Sequence, residues 1–497
     1  MKAEHSFTEK HGLWTDDQAR LAVELKHRIE KSNLHLIRLA WADSHGAVRA
    51  KALTVPVFLE ALGNGYNVNV ATSTLDGAGG RVFSSFTRGG GMGLEEMTGS
   101  PNLVVVPDPE TFRMLPWAPG VGWILCDEYF KDGSPFHFST RRLLKIQLAR
   151  LAGQGCDLII GLEVEWYLTR IIDVQIGMEH VGRPGVRGRT VATQPVEPGY
   201  SYHSESNLDM MQPILSDLAK AYEALDLPLR SIEKEWGPGQ IECTFSAQRA
   251  LKAADDYVLM RTATRQLCRR RGYLATFMCR PALKGYYASG WHLHQSLSDA
   301  VTGRNLFTPD THNGILSRTG AGWLAGLLEH AIETVVFASP TVNGYRRFVP
   351  NSLAPDRVSW GIDHRGTLIR VLGGPDDPGT RLENRTGEPA ANPYLYFASQ
   401  IVAGLDGIAR GLVPPPPETD PYKSEYPALP GSLADALDEA TASKLLRQQF
   451  GDLFMDYYVK LKQAELKRFD DYKAKNESEA QTGEVTQWEQ DEYFDFF

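Results

Sequence analysis

Cysteine is scarce in this sequence, and the scarcity excludes two common structural frameworks. The five cysteines among 497 residues are odd in number and scattered, and no two of them have Cys-x-x-Cys spacing. A disulfide scaffold and a cysteine-based zinc site are therefore excluded. Reduced thiols in a cytoplasmic compartment are expected instead.

Long apolar runs and an excess of basic residues are also missing. No stretch approaches the roughly 20 apolar residues that a membrane-spanning helix needs, and the start, Met1-Lys-Ala-Glu-His-Ser6, has no signal-peptide core. Lysine and arginine together number 52 against 61 acidic residues, which gives a net charge of −9. We therefore expect neither a membrane nor a nucleic acid as the main partner.

The composition that remains is typical of a globular protein, with 42% hydrophobic and 23% charged residues. The length allows two or three ordinary domains, or one large catalytic domain with a smaller one. Proline pairs at 107–109 and 116–119 punctuate the chain, and we place a domain boundary there, between residues 118 and 119.

Two glutamates stand out on a predicted buried strand, Leu158 to Leu168. Side chains alternate faces along a strand, so Glu163 and Glu165 point the same way. Two carboxylates on one face repel each other unless a cation lies between them. A solvated face is the commoner reason for such a pair, so this pattern alone is weak evidence.

Three later segments repeat the pattern with residue types that ligate metals. They are Ile232–Glu235 with Gly237–Glu242, Ser289–His294, and Arg381–Arg385. Oxygen-rich ligand sets with few imidazoles suit Mg²⁺ or Mn²⁺ rather than zinc. Arginines beside such metals suit a nucleoside triphosphate, because its phosphates need positive charge.

Local patterns predict the secondary structure around these segments. A capping box at Thr15–Gln18 begins an N-terminal helix, and Leu34–Trp41 with Val48–Leu53 predicts a β-hairpin. Residues 173–206 are polar and rich in glycine and proline, which predicts a long loop. Further helices are predicted at 140–152, 208–225, 253–271 and about 433–473.

With these segments in order, the chain resembles the glutamine synthetase superfamily over nearly its whole length. The motifs that carry the resemblance are Leu162–Glu165, Glu235–Glu242, Arg280–Ser296, Gly344–Pro350, Arg381–Arg385, Ala391–Leu395 and Thr486–Tyr493. The resemblance implies an α+β fold, with an N-terminal β-grasp domain at 1–118 and a large α/β catalytic domain at 119–497. It also implies a homo-oligomeric ring, a dodecamer of two stacked hexamers, with active sites between subunits.

The resemblance also assigns roles to particular residues. The metal ligands fall into two sets: Glu165, Glu235 and Glu242 for one ion, and Glu163, His292 and Glu383 for a second that bridges the nucleotide phosphates. Positions near ATP are His294, Ser296, Arg370 and Arg381. The arginines that match those gripping glutamate and the transferring phosphoryl group are Arg347, Arg365 and Arg385. Gly290 lies where a side chain would intrude on the bound amino acid.

Elementary chemistry agrees with that assignment. A carboxylate is a poor electrophile, so forming an amide requires its activation, here as a γ-glutamyl phosphate made with ATP. Two or three Mg²⁺ (or Mn²⁺) ions per site, together with arginines, would neutralise the charge as the phosphoryl group transfers. The expected substrates are ATP, L-glutamate and an amine.

Five replacements depart from ammonia-using members of the family. The residue matching their ammonium-binding aspartate is Ala71, and the residue matching their flap glutamate is Leu353. Arg280 and Pro378 replace lysines, and Glu233-Lys234 replaces a pair of histidines. Without the two carboxylates, a site neither attracts nor deprotonates a small cation. The loss of these two carboxylates favours a larger, mostly neutral amine, and the chain looks most like the γ-glutamylanilide synthetases. The other three replacements concern the handling of ATP and of the intermediate.

The leading hypothesis is therefore an ATP-dependent ligase that joins glutamate to an aromatic amine such as aniline. Aromatic residues near the motifs are candidates for the pocket walls: Trp291, Tyr286, Tyr287 and Trp360. An alkylamine or a polyamine is the alternative, and Glu95, Glu96 and Asp209 could serve a polyamine's second charge. Ammonia-using glutamine synthetase and an inactive structural homologue are less favoured, because the two carboxylates are missing and the six metal ligands are present.

Overall fold

The computed structural model describes residues 5–173, 175–309, 311, 314–349 and 353–497. Two expectations fall partly outside these residues. The first four residues of the chain start, for which we expect no signal-peptide core, are not described. Neither is Pro350, which closes the Gly344–Pro350 motif.

The N-terminal part combines three helices with a six-stranded sheet. Its helices are α1 (Phe7–His11), α2 (Asp16–Glu30) and α3 (Val55–Asn64). Its strands are β1 (Leu36–Ala42), β2 (Val48–Thr54), β3 (Tyr66–Asn69), β4 (Asn102–Pro107), β5 (Arg113–Met114) and β6 (Val121–Tyr129). The strand order is β2-β1-β6-β4-β3, with β5 on β6, and β1 runs parallel to β6. A boundary that keeps this sheet whole falls after Tyr129, and the division at 118 stays a prediction.

A ten-stranded sheet organises the rest of the chain. Its strands are β7 (Cys156–Ile171), β8 (Thr193–Pro195), β9 (Leu229–Lys234), β10 (Gln240–Phe245), β11 (Gln248–Arg249), β12 (Tyr273–Thr276), β13 (Trp291–Asp299), β14 (Trp360–Ile362), β15 (Ile369–Leu372) and β16 (Arg381–Gly387). The main order is β14-β15-β16-β13-β7-β10-β9, and β8, β11 and β12 pair with the long strand β7. The predicted Glu-x-Glu strand is thus central to the sheet.

This part of the chain also contains helices, several of which pack against the sheet. They are α4 (Thr140–Ala152), α5 (Glu205–Ala224), α6 (Ala250–Arg270), α7 (Arg318–Glu329), α8 (Ala331–Ala338), α9 (Pro393–Arg410), α10 (Leu433–Ala442), α11 (Lys444–Phe450), α12 (Asp452–Lys473), α13 (Glu477–Ala480) and α14 (Gln487–Tyr493). The fold is therefore α+β, as expected. The core is continuous with that of the N-terminal part.

Arg141, at the start of α4, connects the N-terminal part to the rest of the chain through a buried ionic network. Its guanidinium donates to Asp108 at 2.7 Å and to Asp127 at 2.8 Å, both in the N-terminal part, and to Asp255 of α6 at 2.9 Å. Burial opposes its charge, but the three carboxylates hold the pKa of Arg141 well above its usual range. Removal of one partner from such a network leaves buried charge uncompensated.

Most sequence-based expectations for the elements are confirmed. Thr15 caps α2 through the predicted capping box, and the predicted hairpin forms as β1 and β2. The C-terminal helical segment differs, since Ser443 and Gly451 divide it into three helices. Gly451 has a φ of +89°, a backbone conformation that ends helices readily because glycine lacks a Cβ.

Among the described residues, no single helix is long and apolar enough to cross a membrane. The bent pair α7 and α8, whose axes differ by 82°, meets the criteria of length and composition only when the two are taken together.

Candidate active site

The register of the central strands gathers acidic and imidazole side chains on one face of the sheet. On β13 and β7, His292 lies opposite Glu163, and on β10 and β7, Glu242 lies opposite Glu165. On β16 and β13, Glu383 lies opposite His294. Directly opposed residues share a face, and so do residues two apart on a strand. Four neighbouring strands therefore present their ligand-type side chains to one place.

Glu163 is the centre of this cluster. Its two carboxylate oxygens lie 2.7 Å from His292 Nδ1 and 2.9 Å from His294 Nε2. His292 Nδ1 is also 3.8 Å from Glu383. Ligand atoms of Glu163, His294 and Glu383 lie within 4.8 Å of one another, and so do those of Glu163, Glu242 and His292. Both groups are compact enough for one cation each.

Hydrogen bonds hold two further glutamates, Glu165 and Glu235, beside this cluster. Glu165 accepts hydrogen bonds from Gln240 Nε2 and from the Gly290 N–H, both at 3.0 Å, and lies 3.9 Å from His292. Glu235 follows the end of β9, where its N–H donates to the Gln240 carbonyl at 3.0 Å. Gln240 therefore orients the Glu165 carboxylate through its side chain and fixes the backbone of Glu235 through its carbonyl.

The electrostatics of the cluster call for a cation. Burial raises the pKa of Glu242 to about 10, with the charges of Glu163 and Glu165 adding to the effect. Burial and the charge of Glu165 raise the pKa of Glu235 to about 8. Burial also opposes the ionisation of Glu163, but its hydrogen bonds with both histidines lower its pKa well below the usual range. Without a cation the site holds protons that a divalent metal would displace.

Three predicted site arginines lie along β15 and β16: Arg370 and Arg381 from the nucleotide side, and Arg385 from the set that grips glutamate and the transferring phosphoryl group. Arg370 donates to Glu383 at 2.9 Å, and Arg385 donates to the other oxygen of that carboxylate. Arg381 Nε donates to His294 Nδ1 at 3.1 Å. The Nε of Arg385 is buried and has no hydrogen-bond partner in the described part of the chain. An anionic substrate group would satisfy that donor.

Arg347 and Gly290 lie next to each other at the edge of the cluster. Arg347 donates to the carbonyls of Thr386 and Gly387 at 3.0 and 2.8 Å. A Cβ added at Gly290 would lie 2.7 Å from Arg347 Nη2 and 2.9 Å from His292 Nε2. The absence of a side chain at position 290 therefore leaves room for the arginine and the imidazole, whereas its approach to a bound amino acid stays a prediction.

The remaining predicted residues lie at the edge of the cluster or away from it. Ser296 follows His294 on the same face of β13, and Arg365 is exposed on the turn before β15. Leu353 is 64% exposed. Ala71 is in a short turn of the N-terminal part, and its N–H donates to Asn69 at 2.8 Å. The structure thus brings the ligand-type residues together, whereas Ala71 makes local contacts.

Three of the four aromatic candidates for the walls of the amine pocket are buried. Trp291 is fully buried and stacks on Tyr257 at 3.9 Å, so it belongs to the core. Tyr286 and Trp360 are also buried, and only Tyr287 is exposed. Hydrophobic residues next to a motif usually pack inward, and the sequence pattern alone does not show which ones do so.

The sequence analysis missed residues that support the cluster. Lys234 and Glu197 form an ion pair at 3.3 Å with both side chains fully buried. Glu197 also accepts from the Gly199 N–H at 2.6 Å and from the Gly239 N–H. These contacts fix the turn between β9 and β10 against residues 197–203. Because Lys234 and Glu197 are far apart in the sequence, no local pattern predicts that they pair. The replacement of a family histidine by Lys234 was the one visible sign in the sequence.

Comparison with known proteins gives a consistent result. The family model "Glutamine synthetase, catalytic domain" matches residues 137–481. The chain is 44% identical to a γ-glutamylanilide synthase of an Acinetobacter species, over 99% of both chains. It is 31% identical to the γ-glutamylethanolamide synthetase GlnA4 of Streptomyces coelicolor, over 90% of this chain and 93% of that one. A solved GmaS–ADP complex superposes with a TM-score of 0.73 at 26% identity, covering 94% of this chain and 98% of the other.

Proposed function

The chain belongs to the glutamine synthetase family and is an ATP-dependent glutamate–amine ligase, and from that premise we propose that its amine is aromatic, such as aniline. The observation that carries the proposal is the 44% identity with a γ-glutamylanilide synthase along the whole of both chains. Ala71 and Leu353 support it, since these positions offer a small cation neither charge nor a base.

ATP and divalent metals serve the reaction in this family, and the residues present fit them. Six ligand-type side chains converge on one face, two of them with raised carboxyl pKa values, and Arg385 has an unsatisfied buried donor. Following the family resemblance, we assign Glu165, Glu235 and Glu242 to one ion and Glu163, His292 and Glu383 to a second. This division differs from the two compact groups around Glu163, one of which includes His294. When bound, Mg²⁺ or Mn²⁺ would neutralise the nucleotide phosphates and draw charge from the transferring phosphoryl group.

The chain's own side chains then divide the work of the reaction. Arg347, beside Gly290, binds the amino acid, and Arg385 directs its free Nε–H at the carboxylate that becomes the acyl phosphate. His294, Ser296, Arg370 and Arg381 line the nucleotide side. Leu353, with Arg365 nearby in the chain, covers the activated intermediate and keeps water from hydrolysing it. The amine then attacks the acyl carbon, phosphate leaves, and the charged adduct loses a proton to give the γ-glutamylamide.

Apolar surroundings at the amine site would give an arylamine a measurable advantage. Burial of an aromatic ring contributes about 2 kcal/mol relative to a substrate without one, which corresponds to a preference of roughly tens-fold. Arylamines are also mostly neutral at pH 7, so they need no carboxylate to remove a proton before attack.

An alkylamine or polyamine is the second candidate, and one residue favours it. Glu233 lies opposite Glu242 in the β9–β10 ladder and adds a further carboxylate on the same face. A cationic amine would gain from that charge. Two of the other acidic residues considered for a polyamine are engaged elsewhere, since Glu95 pairs with Arg88 and Glu96 with His137, and Asp209 is exposed on α5.

Three further features belong to the proposal. We infer two or three ions per site, a cytoplasmic enzyme, and a dodecameric ring in which the turn carrying Ala71 completes a neighbouring subunit's site. The resemblance to the glutamine synthetase family supports the last point. An isolated monomer with full specific activity would contradict it.

One experiment separates the candidates: ADP release measured with glutamate, Mg²⁺ and either aniline, isopropylamine, putrescine or ammonium. We expect the highest kcat/KM with aniline. Glu165→Ala should abolish turnover with every amine without unfolding the chain, whereas Glu24→Gln, on the exposed face of α2, should leave it unchanged. A preference for ammonium or putrescine would overturn the aromatic assignment.

A further inference from the structure

Four exposed aromatic side chains gather beside the acidic cluster. Tyr200, Tyr202, Trp236 and Tyr287 have 40–53% of their surface exposed. They are four of the six exposed aromatic side chains in the described residues, and many of the other aromatic rings lie in the core. Contact between four large aromatic side chains and water is unfavourable unless a ligand covers them. The four side chains therefore indicate a binding surface.

The rings are arranged as a stack rather than scattered. Tyr202 lies nearly parallel to Trp236, with ring centroids 5.3 Å apart and an interplanar angle of 9°. Its ring also stacks on His203 at 3.9 Å, and Tyr200 meets Tyr287 edge-on at 6.0 Å. Parallel aromatic faces of this kind accept a further flat ring at their exposed edge or face.

The backbone places this stack directly at the reaction site. Trp236 follows Glu235 in the chain, the Tyr200 N–H donates to the Trp236 carbonyl at 2.8 Å, and the His203 N–H donates to the Lys234 carbonyl at 3.1 Å. His203 Nε2 lies 3.3 Å from Glu233. The hydroxyl of Tyr202 has a raised pKa, caused by burial and then by the charges of Glu235, Glu242 and Glu233, which agrees with this proximity.

The support beneath the stack is rigid. The buried pair of Glu197 and Lys234 ties the turn that carries Trp236 to the segment that carries Tyr200 and Tyr202. Tyr200 and His203 have φ values of +58° and +55°. Residues other than glycine adopt this conformation only where the surroundings hold them, which is common at binding sites.

We propose that the ring of the aromatic amine stacks on the exposed part of Trp236, which packs on Tyr202, and that this contact sets the enzyme's preference among amines. The inference rests on the proposed function and adds the residues that recognise the ring. A ring bound there places its amino group toward the side chains of Glu235 and Glu242. These two proposed metal ligands lie where the substrate glutamate is activated. Ammonium lacks a ring and gains nothing from this surface, and a small alkylamine gains only apolar contact.

The test compares amines in single-substitution variants. In Trp236→Ala and Tyr202→Ala, KM for aniline should rise roughly ten-fold, with kcat changed much less, because the contact exists before and during reaction. KM for glutamate and for ATP should not change, and kcat/KM for isopropylamine should fall less than two-fold. Trp236→Phe, which keeps a ring, should restore most of the aniline affinity. Trp236→Leu, which keeps apolar area without an aromatic face, should not.

The outcomes distinguish this inference from the proposed function. If the wild-type enzyme uses no arylamine, both are overturned. If it uses aniline but Trp236→Ala and Tyr202→Ala leave KM for aniline unchanged, the stacking inference alone is wrong. An equal loss for aniline and isopropylamine would also overturn it, since a merely structural role affects all amines alike. Thermal unfolding of each variant, including the conservative Trp236→Phe, confirms that the fold is intact.

Discussion

Metal binding to this protein should release protons, and the number released tests the candidate metal site. In the metal-free protein, Glu242 has a pKa raised to about 10 and Glu235 a pKa raised to about 8. Both carboxyls therefore hold a proton near pH 7. A divalent metal binds carboxylates, so these protons must leave when it binds.

The magnitude follows from the two pKa values. Near pH 7 the loss should be roughly two protons per site, falling to about one near pH 9, where only Glu242 is still protonated. Because two protons leave per binding event at and below about pH 7, the apparent affinity for metal should rise about 100-fold per pH unit there. This corresponds to about 2.7 kcal/mol per pH unit.

The stability of the metal-free protein has the opposite dependence. Both groups have folded-state pKa values above the unfolded value, so the folded state binds more protons than the unfolded state. Their stabilising contribution is complete below about pH 4.5 and is lost as pH rises through about 8 and 10. Added metal should therefore raise the unfolding temperature more at pH 8.5 than at pH 6.5.

The assay is isothermal titration of the nucleotide-free enzyme with Mn²⁺ in two buffers of different ionisation enthalpy. The difference in heat gives the protons released. Glu242→Gln should reduce the number by about one near pH 7, whereas Glu24→Gln should not alter it. Release of no protons near pH 7, or release that Glu242→Gln leaves unchanged, would refute the assignment of these glutamates to the metal.

Three other substitutions test separate parts of the site. Gly290→Ala should lower kcat/KM for glutamate by about 100-fold, because its Cβ displaces the neighbouring guanidinium, whereas Gly431→Ala, in open space, should have no effect. Glu197→Ala should destabilise the fold by about 3–5 kcal/mol in urea unfolding, because it leaves a buried lysine unpaired. Leu353→Glu combined with Ala71→Asp should lower kcat/KM for aniline and raise it for ammonium, and an unchanged ratio of the two would contradict the pocket argument.

The local elements could be predicted well because their signals are local. The capping box at Thr15 and the helical spacing of 140–152 were sufficient to place α2 and α4. The break at Gly451 was missed, because the hydrophobic periodicity continues across it into α12. A single glycine weakens a predicted helix without showing whether the chain turns there.

The ligand set could be predicted only in part from the residues themselves. The face shared by Glu163 and Glu165 follows from strand periodicity, but the register that brings β16 and β10 beside them is a non-local property. The motif resemblance supplied that information. The support by Gln240 and Glu197 was not predicted, since neither has a distinctive local pattern and each acts through contacts with distant residues.

The identity of the amine depends on the balance between the aromatic stack and Glu233. If that carboxylate were free, it would attract a cationic amine and favour the alkylamine or polyamine candidate. Its oxygens are already engaged, however: one accepts from Ser231 at 2.6 Å, and the other lies 3.3 Å from His203. Its attraction for an incoming cation is reduced accordingly, whereas Tyr202 and Trp236 remain 48% and 40% exposed. The geometry at this edge of the site therefore favours a flat, neutral ring over a charged chain.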